Sequence, residues 1–327
     1  MIYPKFLQKG STIGIAAPSA GVGDDIGQWE ESCALLQTEG FFIKETESVR
    51  NVGDRSADAL TRAKELGSLF SDSEVDFVMC AAGGDFLDEC LPYVDLDLMR
   101  ANPKWLMGAS DPTGILYPYT TKCDVATIYG LNAGGYSRYP VPDYVKDNLT
   151  LIKGESLTEK SYPMYMSIPP FASDDTFYDR PSDMTCSRDY VSARGRCIGG
   201  CIDVLKDLIG TPFDATKDFL SRYKDDHFIW YFDNFSLGAE AFYRTLLQMR
   251  YAGWFDDTEA VIVGRTLFES SDTGLSYREA AEMALGDIPV IHRADIGHTL
   301  PHFTMINGAM MELVYKDSQM DITFSLV

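Results

Sequence analysis

One serine, four histidines and a few carboxylates carry most of the chemistry this sequence could perform. Lys104-Trp105-Leu106-Met107-Gly108-Ala109-Ser110-Asp111-Pro112-Thr113-Gly114 runs from apolar residues through small ones to a serine, then to a proline suited to the first turn of a helix. That is the layout of a nucleophile elbow, a sharp strand-to-helix turn that lifts a serine hydroxyl clear of a sheet. The backbone N–H of Asp111 would then face an oxyanion. Pro112 stands where the strict G-x-S-x-G pattern has its last glycine. Ser-Asp-Pro is also an ordinary helix N-cap, so the segment alone leaves both readings open. Gly83-Gly84 ends another apolar run, and Gly84 could bring the second oxyanion donor. Gly83 and Asp85 would then border the substrate. The alternative for the pair is a plain strand-to-helix turn.

A serine nucleophile needs a base that titrates near neutrality, and the choice is among His227, His292, His298 and His302. His298 lies in the loop Asp295-Ile296-Gly297-His298-Thr299-Leu300-Pro301, after the apolar run Ile288–Ile291, where a strand end could carry a catalytic group. His302 is four residues further on, which raises a two-histidine metal site. Pro301 interrupts the helix such a site would need, and no HExxH glutamate accompanies the pair, so no metal is expected. Phe228-Ile229-Trp230-Tyr231-Phe232 ends in Asp233, a carboxylate that could accept the imidazole N–H and fix its tautomer. Asp233 could equally cap the helix that follows.

These groups need elements to hold them. Thr12–Ala17, Phe41–Ile43, Val75–Ala81 and Trp105–Met107 are short apolar runs, and residues 24–38 and Ala57–Phe70 repeat apolar side chains at helical spacing. The alternation predicts a parallel sheet flanked by helices, an α/β fold. Between about 145 and 190 the chain turns rich in Pro, Ser, Asp and Tyr and loses its period. The expected organisation is an α/β nucleophile domain over 1–145, an interdomain crossover over 146–190, and a domain over 191–327 carrying the acid and the histidine. In the last part, helices are expected at Ile202–Ile209 and Ala239–Tyr251, strands at Phe228–Phe232 and Ala260–Val263, and antiparallel strands from Met311 to Val327.

Composition sets outer bounds. The 327 residues carry 28 Lys and Arg against 49 Asp and Glu, a net charge of −21. Such a surface repels phosphate backbones and anionic headgroups, so neither nucleic acid nor a membrane is an expected partner. The first residues lack a basic segment followed by an apolar run, so no signal peptide is expected. The seven cysteines are scattered with no CxxC pair, which fits reduced, mostly buried thiols in a cytoplasmic protein.

Five stretches together resemble the LD-carboxypeptidase family of serine peptidases, the S66 peptidases, and within it the microcin C immunity branch. They are GSTIGIAAPSAG, AAGGDFLDECLPYVDLDLMRANPKWLMGASDPTG, GRCIGGCIDVLKDLIGTP, FIWYFDNF with LLQMRYAGWFD, and DIPVIHRADIGHTLPHFTMINGA. The resemblance implies a Rossmann- or flavodoxin-like N-terminal domain with the elbow, and a C-terminal α/β domain with a small barrel-like sheet. It implies Ser110 as nucleophile, His298 as general base, and an oxyanion hole at Gly84 and the Asp111 N–H. It further implies no cofactor, a homodimer, and release of D-Ala from a muropeptide. The substrate alternative is an aminoacyl-nucleotide conjugate, and a binding homologue with weakened catalysis is the remaining one. Where the family has glutamate after the FIWYF-type strand this sequence has Asp233, whose carboxylate stops about 1.5 Å short. Arg194, Arg196 and Arg265 are candidates to hold a substrate carboxylate. Tyr162, Tyr165, Phe171, Phe177 and Tyr178 are candidates to stack on a nucleobase.

Overall fold

The structure is a computed structural model describing residues 1–173 and 175–327. It divides into two compact units, Met1–Ser156 with Thr304–Ile306, and Leu157–Phe303 with Asn307–Val327.

In the first unit, strands β1 (Thr12–Ala16), β2 (Phe42–Glu45), β3 (Phe77–Cys80), β4 (Trp105–Gly108) and β5 (Thr127–Tyr129) alternate with helices α1 (Ile26–Thr38), α2 (Ala59–Ser71), α3 (Leu96–Ala101) and α4 (Thr113–Cys123); α5 (Asp143–Ile152) follows β5. The central strands are apolar on both faces because helices cover both, and Ile13, Ile15, Phe77, Val78, Met79, Leu106 and Met107 are fully buried. Among the described residues the sheet order is β14-β5-β4-β3-β1-β2, where β14 (Met305–Asn307) comes from late in the chain. The β1–β5 pairings are parallel. As a result β1, β3 and β4 are direct neighbours, and the loops at their C-terminal ends converge.

The expected boundary at 145/146 cuts through α5, whose buried Tyr144, Val145, Leu149, Leu151 and Ile152 anchor it to the first unit. Residues 157–190 are not a bare connection either. They supply β6 (Thr158–Lys160), a ribbon of β7 (Met164–Tyr165) and β8 (Arg180–Pro181), and β9 (Thr185–Cys186). These strands are only two or three residues long, so no periodicity marks them; β6 and β9 form by pairing with distant strands later in the chain, and β7 and β8 by pairing with each other.

In the second unit the long β10 (Tyr190–Cys201) lies parallel to β11 (Phe228–Asp233) and antiparallel to β15 (Met310–Lys316). With β12 (Thr258–Gly264), β13 (Val290–Ala294) and β16 (Gln319–Ser325), the sheet runs β6-β16-β15-β10-β11-β12-β13-β9 in open order, without closing into a barrel. Helices α6 (Ile202–Leu208), α7 (Thr216–Arg222), α8 (Ala239–Tyr251) and α9 (Tyr277–Leu285) complete it. Phe228 to Phe232 are all fully buried, so β11 ends in Asp233 at the rim of a dry core. All seven cysteines are free thiols. No helix among the described residues is long and apolar enough to cross a membrane.

Candidate active site

The serine side is built from backbone. Ser110 follows β4 with φ +67, a left-handed conformation unusual for a residue with a side chain. A strained residue between a strand and a helix is the backbone geometry that a nucleophile elbow requires. Neighbouring groups hold it there. The Ser110 N–H donates to the Tyr129 hydroxyl at 3.1 Å, and Asn132 pairs with both the N–H and the carbonyl of Ala109 at 3.0 and 3.2 Å. A Cβ on Gly108 would sit 2.8 Å from Pro112 Cβ, so the turn needs glycine there for close approach. The Gly83 backbone faces the hydroxyl: a Cβ on it would lie 3.5 Å from Ser110 Oγ. Gly84 has φ +147, and neither its N–H nor that of Asp111 meets an acceptor among the described residues. Asp85 is exposed beside them.

The Asp111 side chain does not cap α4, whose N-terminus has no side-chain cap. The carboxylate is buried and turns to the neighbouring loops, accepting from the Ser19 hydroxyl and from the Leu87 N–H at 2.9 Å. Burial pushes its pKa above the ordinary carboxylate value, against the lowering effect of these donors. On the other side of the same loops, fully buried Arg62 donates to the carbonyls of Pro18 and Phe86 at 2.9 and 3.0 Å and to Glu89. Sequence reading passed over Ser19 and Arg62. The available signal was Arg62 itself, a cation inside the apolar stripe Arg62, Ala63, Leu66, Leu69, Phe70 of α2.

The acid–base side is built from side chains. His298 Nδ1 lies 2.8 Å from Asp233 Oδ2, with Asp233 fully buried and His298 20% exposed. The atoms are close without the alignment of a linear hydrogen bond, so charge dominates the contact. Burial would lower the imidazole's pKa, but the Asp233 carboxylate outweighs it and holds the pKa above the usual histidine value. The loop bearing His298 packs directly on the Asp233 carboxylate. Gly297 has φ +98 and its Cα packs on the carboxylate; a Cβ there would fall 2.0 Å from Asp233 Oδ1. Phe235, just beyond β11, packs against the imidazole in a tilted arrangement, with ring centroids 4.5 Å apart and planes at 46°. Asp203 of α6 fixes that turn by accepting from the N–H groups of Phe235 and Ser236. Gly297, Phe235 and Asp203 were not foreseen, since each matters only through contacts distant in sequence.

The loop bearing His298 is also tied at its base. Asp295, fully buried, pairs with Arg265 and accepts from the Tyr162 N–H at 2.9 Å, while its carbonyl accepts from Phe303 N–H at 2.7 Å. Arg265 is therefore consumed inside the fold and is not a free cation for a substrate carboxylate. Arg196 is likewise buried and spent on Asp226 and the Gly308 carbonyl, and Arg194 lies 3.7 Å from Glu312 at the surface. Of the aromatic candidates, Tyr165 lies under the Arg265 guanidinium, Tyr162 beside Phe303, and Phe171, exposed, beside Phe268. Phe177 and Tyr178 are exposed. Burial lowers the pKa of His302, whose Nδ1 lies 3.3 Å from the Phe303 carbonyl. His227 sits at the surface 3.5 Å from Glu259, and buried His292 has its pKa lowered to about 4 by desolvation. No three His, Cys, Asp or Glu side chains among the described residues could jointly hold a metal ion.

Residues 13–130 match the LD-carboxypeptidase N-terminal domain and 194–313 its C-terminal domain. Microcin C7 self-immunity protein MccF of Escherichia coli is 26% identical over 94% of this chain and 95% of its own. A Bacillus subtilis protein named as a probable murein peptide carboxypeptidase is 24% identical over 94% of this chain and 89% of its own. A solved structure of MccF in complex with aspartyl sulfamoyl adenosine shares the fold at a TM-score of 0.84, with 20% identity over 100% of this chain and 99% of that one. Both family domains are matched in order and span most of the chain; it belongs to the LD-carboxypeptidase family, peptidase S66.

Proposed function

We propose that the chain is a serine hydrolase of the LD-carboxypeptidase type, cutting an amide bond to release a C-terminal D-amino acid, D-Ala, from a muropeptide. The observation that carries this reading is the pair of prepared groups: Ser110 at its strained turn, and a His298 imidazole backed by a buried carboxylate 2.8 Å away. In the reaction His298 takes the hydroxyl proton as Ser110 Oγ attacks the carbonyl carbon. The N–H groups of Gly84 and Asp111 receive the oxyanion, each worth about 2.7–4 kcal/mol. His298 passes the proton to the leaving amine, D-Ala departs, and the same histidine activates water to free the acyl group. Asp233 holds the imidazole and stabilises its charged form. Gly83 and Asp85 border the substrate in this scheme. A homodimer acting in cytoplasmic peptidoglycan recycling belongs to the same proposal, with light scattering as the check on assembly.

Mass spectrometry of the protein with L-Ala-γ-D-Glu-meso-diaminopimelate-D-Ala, beside Ser110→Ala, tests it. Tripeptide and free D-Ala from the wild type alone support the reading. An intact tetrapeptide counts against it. The match to MccF across 94% of the chain favours a second substrate class, aminoacyl-nucleotide conjugates, and aspartyl sulfamoyl adenosine is the probe for that arm. An intact conjugate as well would leave a binding homologue with weakened catalysis.

A further inference from the structure

We propose that the Asp111 side chain is a positioning residue for the oxyanion loop: its carboxylate ties together the loops that follow β1, β3 and β4 and so sets the Gly84 turn beside Ser110. The inference rests on the serine-hydrolase reading and deepens it, since the N–H and the carboxylate of one residue are given separate tasks.

The three strands are consecutive neighbours in the sheet, in the order β4-β3-β1. Asp111 stands one residue beyond the nucleophile on the β4 loop. Its Oδ2 accepts from Ser19 Oγ, on the β1 loop, and from Leu87 N–H at 2.9 Å, on the β3 loop. The Ser19 hydroxyl in turn lies against Gly84: a Cβ on Gly84 would meet Ser19 Oγ at 2.3 Å. The chain of contacts thus runs from the carboxylate through Ser19 to the Gly84 turn. Other contacts bind the β1 loop to the β3 loop: Ala20 N–H donates to the Gly83 carbonyl at 3.2 Å, and Arg62, from α2, bridges the carbonyls of Pro18 and Phe86. None of these reaches the elbow. Asp111 joins both loops to the turn that carries the nucleophile.

Burying a carboxylate is costly, and a helix cap at the surface would avoid that cost. Here the side chain turns away from its own helix, 4% exposed, and makes its bonds across the sheet. Pre-positioned donors matter most at the transition state, so the fastening should act on the rate of acylation and not on substrate affinity.

The test uses Asp111→Ala, Asp111→Asn and Ser19→Ala in the full chain, with a fluorophosphonate as probe. In that reaction Ser110 Oγ forms a bond to phosphorus, fluoride leaves, and the hydroxyl proton goes to His298. Asp111→Ala is expected to slow phosphonylation and kcat by about 10²–10³-fold, the loss of one oxyanion donor. Tetrapeptide Kd, measured by calorimetry in the Ser110→Ala background, should be unchanged when Asp111→Ala is added. Asp111→Asn keeps one acceptor oxygen and should recover part of the rate. Wild-type rates in Asp111→Ala, or a rate and an affinity that fall in parallel, overturn the inference. If Asp111→Ala fails to fold, Ser19→Ala and Asp111→Asn decide, and wild-type rates in both overturn it. A wild type inert to the probe sinks the hydrolase reading and this inference with it; a reactive wild type with an unaltered variant sinks the inference alone.

Discussion

Ser110 and His298, the proposed nucleophile and base, are presented by sheets of different construction and held by different means. The serine stands at the end of a buried parallel strand, where backbone geometry does the placing: φ +67 at Ser110, glycines at 83, 84 and 108, and hydrogen bonds from the Ser110 and Ala109 N–H groups to Tyr129 and Asn132. The histidine sits on a loop after the mixed sheet's β13, and side chains place it: Asp233 beneath, Phe235 alongside, Asp295 with Arg265 at the loop's base. A backbone-set group is sensitive to any added Cβ but indifferent to side-chain length. A side-chain-set group depends on the length and charge of single residues.

The contrast can be broken in several ways. Ser110→Ala should abolish turnover, with a loss of the order of 10⁶-fold in kcat as in other serine triads, while tetrapeptide binding persists by calorimetry. Asp233→Asn should cost about 10⁴-fold in kcat by mispositioning the imidazole, measured by D-Ala release. Asp233→Glu is the sharper variant. It installs the glutamate that the family resemblance implies, but Gly297 already occupies the space, so overpacking should cost about 1–3 kcal/mol in thermal denaturation and activity should fall. A gain of activity instead would mean that the loop is not closed on the carboxylate.

Gly297→Ala should reduce kcat by about 10²-fold, since its Cβ would strike Asp233 Oδ1 and displace the carboxylate by around an ångström. The smallest effect is in pH. Because the Asp233 charge outweighs burial and holds the His298 pKa above the ordinary value, the acid limb of kcat/KM should lie above that value, and Asp233→Asn should shift it downward. The linked stability runs the opposite way. A raised folded pKa means that the His298–Asp233 pair contributes fully below the unfolded histidine pKa, and that the contribution is lost as pH rises through the folded one. Activity should therefore climb over the interval in which denaturant midpoints fall, and the fall should vanish in Asp233→Asn.

Much of this arrangement is legible in local sequence. The apolar run from Trp105, the small residues before Ser110 and Pro112 after it encode strand, turn and helix within ten residues, and β4 and α4 stand there. The run Phe228–Phe232 likewise marks β11 with Asp233 at its end. The short strands of residues 157–190 were not legible, because two or three residues carry no pattern that says what they pair with.

By itself the sequence determined the α/β alternation, the placement of Ser110 at a strand-to-helix turn and the identity of the residues on offer as acid and base. Periodicity and turn chemistry act over a few residues and can be read one window at a time. Only the tertiary structure decided which of those residues are free to act. It spent Arg265 on the buried Asp295 and Arg196 on the half-exposed Asp226, turned Asp111 from its own helix toward Ser19, 92 residues away, and closed Gly297 onto the Asp233 carboxylate. Those choices follow from the order of strands in two sheets, which brings distant loops together, and from the cost of burying any charge without a partner.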